Sequence, residues 1–209
     1  MIKQEAFRIS LRGLWLAFCN LTLATYFGLF AYAHALNFLR YRRLSNLLIV
    51  AKESLDALFF LARRAPLDTS KSPYHWAVGI GATFGPTMFR PVETPLDLAS
   101  GQLLQSVGLL LQVIGIASLN RSFGIVAANR GIKTSGLYRY VRHPLYSAYI
   151  LQHMGYVINN FSVRNCLVFG VVTLLQLMRM TIEERFLSQD PAYAEYMQRT
   201  RWRLIPFVL

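Results

Sequence analysis

The sequence predicts an all-α fold, a polytopic bundle of about six transmembrane helices, with five as the alternative number. Hydrophobic residues make up 54% of the 209-residue chain and charged residues only 15%, whereas a soluble domain carries roughly 25% charged residues. The apolar residues are gathered in runs close to the roughly 20 residues that one crossing of a bilayer needs. Basic residues stand in short clusters between these runs. We therefore expect one membrane-embedded unit.

Six segments are predicted to form the helices. The second is the weakest because it contains three charged residues, and the third and fifth are short for a full crossing. In the five-helix alternative the second segment lies in the membrane interface. The first run is too long for the apolar core of a signal peptide, so we predict a retained helix. The segments are Leu14–Phe38, Asn46–Ala62, Tyr74–Met88, Leu96–Leu119, Pro144–Ile158 and Val163–Thr181.

The distribution of basic residues predicts the orientation. If all six segments cross, 16 of the 22 Lys and Arg residues fall on the side that holds both termini and 5 on the other, with Lys52 inside a helix. Cytoplasmic loops are enriched in Lys and Arg, so both termini are predicted to be cytoplasmic. The cluster Arg40, Arg42 and Arg43 fits this orientation badly. The net charge of +12 is attributed to topology and to membrane lipids as partners, and we expect no nucleic-acid partner.

The second segment carries Lys52, Glu53 and Asp56, and Lys52 and Asp56 are spaced so that they can pair on one helix face. Charges inside a membrane are expensive and often functional. The alternative, favoured here, is that this helix is partly interfacial and its charges are solvated. The two cysteines, Cys19 and Cys166, lie in apolar runs, and no cluster has metal-ligand spacing, so we expect neither a disulfide scaffold nor a metal.

A polar segment, Asn120–His143, ends in the run Arg142-His143-Pro144-Leu145-Tyr146. Pro144 suits the first position of a helix, whose free N–H groups then point at the residues before it. Arg142 and His143 therefore predict an anion site at a membrane surface, with Tyr138, Tyr140 and Tyr146 as aromatic walls. A plain basic interfacial loop with a tyrosine belt is the alternative.

Two further pieces of sequence follow this loop. Glu183 and Glu184 lie at the end of the sixth segment, and a short turn at Asn159–Ser162 makes the fifth and sixth segments an antiparallel hairpin. The hairpin brings the Arg-His-Pro loop and the glutamate pair to the same membrane face. The spacing of Tyr193 and Tyr196 and the run 201–203 predict an amphipathic segment on the membrane. Cations, carboxylates and tyrosines together match the carboxylate, ribose, adenine and sulfonium of S-adenosylmethionine.

These motifs resemble the superfamily of isoprenylcysteine carboxyl methyltransferases and phospholipid N-methyltransferases. The resemblance is carried by RHPLY at 142–146, EE at 183–184, Tyr-x-x-Tyr at 193–196 and Arg-Leu-Ile-Pro at 203–206, and it covers roughly Ser122 to Pro206. The family usually has glycine two residues after the motif tyrosine, where this chain has Ala148. The departure removes no chemical group but narrows the approach of a neighbouring helix or of the cofactor.

The resemblance implies a methyltransferase that uses S-adenosylmethionine in a pocket facing the cytoplasm. Residues 1–119 would shape the acceptor side, and residues 120–209 would form the cofactor-binding core of the same unit. The acceptor is expected to be lipophilic or lipidated, with a carboxylate favoured over an amine. Arg142, which would orient an acceptor carboxylate, and Glu184 are the catalytic candidates. The residues implied to line the cofactor are Tyr138, Val141, Arg142, His143, Pro144, Tyr146, Glu183 and Glu184.

Two other functions remain open at this point. Membrane sterol reductases share a similar Arg-His-x-x-Tyr helix start and bind NADPH, although the Glu183–Glu184 pair would repel a 2′-phosphate. A small transporter or assembly protein would instead use Lys52, Glu53 and Asp56 as an intramembrane relay. The predicted location is the inner (plasma) membrane of a bacterium or the endoplasmic reticulum of a eukaryote.

Overall fold

The computed structural model describes residues 11–42, 44–93, 96 and 98–206. Over these residues the chain forms seven α-helices and one short antiparallel ladder, so the predicted all-α membrane-helix bundle is confirmed. Strands β1 (Asp68–Thr69) and β2 (Ala128–Asn129) pair with each other. The helices are α1 (Leu11–Tyr41), α2 (Leu44–Ala62), α3 (Pro73–Phe84), α4 (Ala99–Leu119), α5 (Pro144–Asn159), α6 (Val163–Leu187) and α7 (Pro191–Arg199).

Each of the six predicted segments overlaps one of the helices α1 to α6, and most of these helices extend beyond the predicted bounds. By length and hydropathy, three stretches of the described residues could cross a membrane: Gly13–Tyr41, Ala99–Ser122 and Val163–Leu187. α2 is 19 residues long but carries charges, and α3 and α5 have 12 and 16 residues. A 3₁₀ turn, Gly85–Met88, extends α3. The number of crossings therefore stays a prediction.

Glycine lets α4 and α5 approach each other closely. A Cβ on Gly108 would lie 2.5 Å from the backbone nitrogen of Gln152, and one on Gly155 would collide with the backbone of Gln105. Small residues at such contacts allow helix backbones to pack without a gap. Ala148, the departure from the family pattern, is fully buried, and its carbonyl accepts a hydrogen bond from Gln112 of α4. The alanine therefore belongs to the helix contact.

The rest of the bundle is built around aromatic packing. α1 packs on α2, α2 on α4, and α3 and α5 on α6. Phe60 is fully buried, stacks on Phe27 at 5.4 Å and meets Phe123 edge-on at 5.4 Å. Large apolar side chains such as Trp15 and Phe18 point outward from α1, as expected of a helix that faces lipid.

The turn between α5 and α6 lies at the end of the bundle opposite the Arg-His-Pro loop. Ser162 caps α6 by accepting a hydrogen bond from the Asn165 N–H at 3.1 Å. The Asn165 side chain donates to the carbonyls of Arg90 and Asn160. This amide cluster fixes the predicted antiparallel hairpin, and it also holds the chain that follows α3.

The interpretation of Lys52, Glu53 and Asp56 as solvated interfacial charges is wrong. Asp56 is 1% exposed and Glu53 9%, because α2 turns this face toward α1, α4 and α5 rather than toward solvent. Lys52 Nζ lies 3.0 Å from Glu53 Oε1 and 3.0 Å from Asp56 Oδ2. The three charges form a buried cluster inside the bundle.

Candidate functional site

The site is assembled on the loop that precedes α5. Gly136 has φ +64°, and a Cβ there would collide with Ser118 of α4, so only glycine fits this turn. A 3₁₀ turn, Gly136–Arg139, follows, and α5 begins at Pro144 as predicted. The N–H groups of Arg142 and His143 donate to the carbonyls of Trp202 and Arg203 at 2.9 and 2.8 Å. The C-terminal segment therefore pairs with this loop.

Glu184 is the centre of a cluster of positive charges. Its Oε1 lies 2.7 Å from Arg142 Nε, and its Oε2 lies 3.0 Å from Arg203 Nε. His143 Nε2 lies 3.2 Å from the same Oε1, off the line that a hydrogen bond requires. Arg142 also donates to the carbonyl of Thr200 at 3.2 Å. Glu184 therefore neutralises Arg142. The sequence predicted an open cationic pocket that faces a pair of carboxylates, whereas the structure has a closed ion cluster.

Glu183 points away from that cluster. Adjacent residues of an α-helix differ in direction by about 100°, so the two glutamates face different neighbours. The hydroxyl of Tyr146 donates to Glu183 Oε2 at 2.7 Å. The guanidinium of Arg179 lies over the Tyr146 ring, 5.7 Å from its centre. Glu183 and Tyr146 together face a cavity.

Three tyrosines form the walls on the side of the C-terminal segment. The hydroxyl of Tyr196 donates to the carbonyl of Tyr138 at 2.7 Å, and Tyr193 meets Tyr196 edge-on at 5.6 Å. All three are buried, and burial raises their pKa values, so the hydroxyls remain protonated at neutral pH. α7 packs Tyr193 and Tyr196 inward against the loop, and the placement of their segment on the membrane stays a prediction.

The cavity has two narrow lobes of about 50 Å³ each. Arg130 lines both lobes, and reasoning from sequence did not single it out. Its Nε is buried without a hydrogen-bond partner. Burial, reinforced by the nearby Arg63, lowers the pKa of Arg130 to about 10, so it is still a cation at neutral pH. The residues shared by both lobes are Leu119, Ser122, Ala128, Arg130, Tyr138, His143 and Glu183.

The predicted cofactor residues divide into two layers. Tyr138, His143, Tyr146 and Glu183 line the first lobe, and Arg142 joins the lining of the second. Three others lie behind this surface and support it: Val141, Pro144 and Glu184. Among the described residues, no group of three or more His, Cys, Asp or Glu side chains is placed to hold a metal ion.

A larger central cavity of about 350 Å³ adjoins the first lobe. Phe123, Tyr149 and Arg179 line both spaces. The buried Lys52, Glu53 and Asp56 line the central cavity. Neither Tyr149 nor Arg179 was expected here, because their part in the cavity depends on how α1 to α3 pack on the hairpin. The sequence signal that could have indicated Arg179 was a charged residue at the end of the long apolar stretch of α6.

Comparison with known proteins supports the same part of the chain. A family model described as phospholipid methyltransferase matches residues 96–194, just under half of the chain. No curated protein matches the sequence. The family match confirms the predicted resemblance and supports a membrane methyltransferase in general. It includes α4, α5 and α6 and ends within α7, and it leaves out α1 to α3 and the residues after 194.

Proposed function

We propose that this chain, which matches the phospholipid methyltransferase family over residues 96–194, transfers the methyl group of S-adenosylmethionine to a lipophilic acceptor. The acceptor would carry a carboxylate or an amine. The observation that carries the proposal is the arrangement of Glu183 and Arg130 on one small cavity beneath buried tyrosines. This set offers a carboxylate, aromatic walls and a cation around one cavity.

The residues present fit the polar parts of the methyl donor. Glu183 would accept hydrogen bonds from ribose hydroxyls, because Tyr146 occupies only its Oε2. Arg130, whose Nε has no partner, would bind the amino-acid carboxylate. Tyr138 and Tyr193 would contact the adenine through their rings. Pockets for ligands of this size span roughly 300–1,000 Å³, so the loop that carries Arg130 must move outward for binding.

When bound, S-adenosylmethionine supplies an electrophilic methyl group on a sulfonium cation. The chain positions the reactants and keeps water out, which is where most of the rate comes from when no difficult proton transfer is required. Two aromatic side chains, Phe123 and Tyr149, line both the lobe and the central cavity, and their rings favour a cation over a neutral group. The acceptor would approach from the central cavity.

Arg142 and Glu184 are proposed as positioning residues. Their ion pair, together with Arg203, ties the loop before α5 to α6 and to the C-terminal segment. An acceptor carboxylate would have to break this pair to reach Arg142, and leaving buried charges unpaired is costly. Both residues remain parts of the site because they fix the lining side chains of the lobes.

Binding of S-adenosylhomocysteine to the purified protein in detergent tests the proposal. We expect calorimetric titration to show binding to the wild type and a loss of at least about tenfold in affinity for Glu183→Gln, because a charge-assisted hydrogen bond contributes roughly 1.5–3 kcal/mol. Glu195→Gln, which alters an exposed glutamate on α7, is the matched control. Binding of NADPH in place of S-adenosylhomocysteine would establish a reductase instead.

The acceptor class is tested separately. Membranes that contain the protein are supplied with methyl-labelled S-adenosylmethionine, and the label is followed into lipid and protein fractions. Alkaline hydrolysis releases a methyl ester but not an N-methyl group, so it separates a carboxylate acceptor from an amine. Label in neither fraction would contradict the proposed activity.

A further inference from the structure

We infer that the acceptor reaches the methyl donor through a polar passage that begins at the opposite end of the bundle. The inference rests on the proposed function and deepens it, because it assigns an entry route to the acceptor and leaves its identity open. Much of the passage is formed by α1 and α2, which lie outside residues 96–194. The family match therefore carries nothing about it.

The passage begins in a vestibule of about 650 Å³ beside the α1–α2 turn, the start of α4 and the end of α5. No acidic residue, lysine or arginine is among the described residues of its wall. Neutral polar side chains predominate there, and they would find no hydrogen-bond partners in lipid. The vestibule is therefore suited to water or to a polar ligand. Its polar residues include His34, Asn37, Asn46, Gln102, Gln105 and Ser106.

The vestibule adjoins the central cavity, and the central cavity adjoins the first lobe of the site. The vestibule and the central cavity share four wall residues: His34, Ile49, Gln105 and Tyr156. The central cavity and the first lobe share Phe123, Tyr149 and Arg179. The three spaces therefore form one series from the far end of the bundle to the cavity proposed for the methyl donor.

One face of α1 and one face of α5 follow this series. The stripe on α1 consists of Tyr26, Phe30, His34, Asn37 and Tyr41. The stripe on α5 consists of Tyr146, Tyr149, Tyr156 and Asn160. Residues 146 and 160 are about 21 Å apart along a helix axis, and the hydrocarbon core of a bilayer is roughly 30 Å thick. The passage therefore spans most of the membrane.

The charges on the central cavity balance each other. Lys52 and Arg179 line it together with Glu53 and Asp56. Lys52 contacts both carboxylates at 3.0 Å, whereas Arg179 donates to neutral oxygens, the carbonyl of Gly124 and the hydroxyl of Thr83. With two positive and two negative groups, the wall gives neither a cation nor an anion a general electrostatic advantage. The passage therefore admits a polar head through hydrogen bonds.

Buried oxygens without partners support this reading of the central cavity. Three of its lining residues have such an atom: Glu53 Oε2, Asp56 Oδ1 and Gln176 Oε1. A buried acceptor left without a donor is costly. Water or the head of a passing ligand would supply the donors, and lipid chains would not. The middle of the passage is thus also suited to polar contents.

Labelling of single cysteines tests whether the vestibule is an aqueous space. In a chain with Cys19→Ser and Cys166→Ser, Ser106→Cys lies in the vestibule wall, about 10 Å along α4 from its first residue. Val107→Cys is the matched control, because this neighbour is exposed and does not line the vestibule. A membrane-impermeant maleimide is expected to label Ser106→Cys in membranes at least about tenfold faster. Equal rates would contradict an aqueous vestibule.

The adduct then tests whether the acceptor uses the passage. Membranes with labelled or unlabelled Ser106→Cys are supplied with methyl-labelled S-adenosylmethionine, and transfer into the membrane fraction is followed. We expect the adduct to lower the rate at least about tenfold, because it fills the vestibule. Phe161→Cys, exposed at the α5–α6 turn outside the vestibule, is expected to keep its own rate within about twofold on labelling. An unchanged rate for labelled Ser106→Cys would overturn the inference, because the acceptor would then enter elsewhere.

Narrowing the junction gives a test without a reagent. Ile49 lines both the vestibule and the central cavity, so Ile49→Trp is expected to slow methyl transfer at least about tenfold. Leu47→Trp adds the same side chain on the exposed face of α2 and is expected to keep the rate within about twofold. Equal rates for the two variants would contradict the route. The labelling experiment decides the question if Ile49→Trp does not fold.

Binding of S-adenosylhomocysteine separates the route from the proposed activity. Labelled Ser106→Cys and Ile49→Trp are expected to bind it within about twofold of the wild type, because neither residue lines the site lobes. A loss of binding that parallels the loss of transfer would make the effect a structural one and overturn the route. Absence of methyl transfer in the unmodified protein would instead contradict the methyltransferase.

Discussion

At the scale of single residues, the two adjacent glutamates have different environments. Glu184 is enclosed by Arg142, His143 and Arg203, whereas Glu183 holds the Tyr146 hydroxyl and faces the cavity. The motif in the sequence shows that both acids belong to the site. It does not show which one faces the ligand, because that depends on the rotation of α6 against α5.

Neutralising Glu184 is expected to reduce mainly the stability of the protein, whereas neutralising Glu183 is expected to reduce mainly the binding of the ligand. Glu184→Gln leaves Arg142, whose side chain is 9% exposed, without its counter-charge, and breaking a buried pair costs roughly 3–5 kcal/mol. Glu183→Gln keeps an oxygen that can accept from Tyr146 and is expected to cost about 1 kcal/mol. Thermal unfolding in detergent measures the difference. Equal destabilisation by the two variants would contradict the division of roles.

Arg130 provides a second residue-scale prediction, since its buried Nε has no partner in the protein. Arg130→Gln is expected to leave stability unchanged within about 0.5 kcal/mol or to raise it, because an unsatisfied buried group is removed. The affinity for S-adenosylhomocysteine is expected to fall about tenfold, as its carboxylate loses a cation. Calorimetry and thermal unfolding of the same samples separate the two effects. A parallel loss of stability would assign Arg130 a structural role.

At the scale of elements, the spacing of glycines in α4 indicates how closely this helix packs on α5, and the prediction from apolar runs did not use it. Gly101, Gly108 and Gly115 recur every seven residues, which places them on one face of α4. That face packs against α5, and a Cβ at each position would press on α5 atoms. The apolar runs predict both helices but say nothing about their mutual approach, because the absence of a side chain does not alter hydropathy.

Substituting one of these glycines tests the contact. Gly108→Ala places a methyl group against the backbone of Gln152, and overpacking of this kind typically costs roughly 1–3 kcal/mol. Gly170→Ala is the matched control, since nothing lies within 4 Å of its added Cβ, and an alanine within a helix is favoured by roughly 0.5–1 kcal/mol. The melting temperatures of the two variants are expected to move in opposite directions. A neutral Gly108→Ala would show that α4 and α5 adjust freely.

The C-terminal segment makes contacts within the protein that its amphipathic pattern did not predict. Its apolar and basic residues suit a membrane surface, yet the carbonyls of Trp202 and Arg203 bind the loop before α5 and that of Leu204 accepts from Ser147. The sequence shows the amphipathic pattern. It does not show whether the apolar face meets lipid or protein.

Removing the residues after Arg199 is expected to disable the site without unfolding the bundle. The truncated chain loses the acceptors for Arg142 and His143 and one partner of Glu184. We expect S-adenosylhomocysteine binding to be abolished, while circular dichroism shows nearly unchanged helix content because α1 to α7 remain. Arg199→Gln, which removes only an exposed ion pair, is the control. Retained binding in the truncated chain would show that the segment is an anchor alone.

At the scale of the whole molecule, the sequence identified the hairpin and the site but not the space beside them. The motifs that carry the resemblance lie after residue 122, and the hairpin turn alone was sufficient to bring 142–143 and 183–184 together. The central cavity requires α1, α2 and α3 as well, and no motif fixes their packing. For this reason Lys52, Glu53 and Asp56 were expected in solvent, whereas the fold encloses them.

The orientation of the bundle in the membrane is predicted from the number of basic residues at each of its two ends. The far end, at the α1–α2 and α5–α6 turns, carries Arg40, Arg42, Arg90 and Arg164. The site end carries Arg63, Arg64, Lys71, Arg121, Arg130, Lys133, Arg139, Arg142, Arg199, Arg201 and Arg203. Arg179, which is one of the 16 basic residues counted on the side of the termini, lies inside the bundle, where it donates to the carbonyl of Gly124. Without it the bias remains. Cytoplasmic ends are the basic ones, so the site is predicted to face the cytoplasm, where a soluble methyl donor would reach it.

Cysteine labelling tests this orientation. In a chain with Cys19→Ser and Cys166→Ser, a single cysteine is introduced as Ser135→Cys at the site end or as Phe161→Cys at the α5–α6 turn, and both positions are exposed. A membrane-impermeant maleimide is expected to label Phe161→Cys in intact cells and Ser135→Cys only in inverted vesicles. The reverse pattern would place the site outside the cytoplasm. The closed ion cluster and its tyrosines would then have to serve a ligand supplied from the other side, which the methyltransferase proposal does not allow.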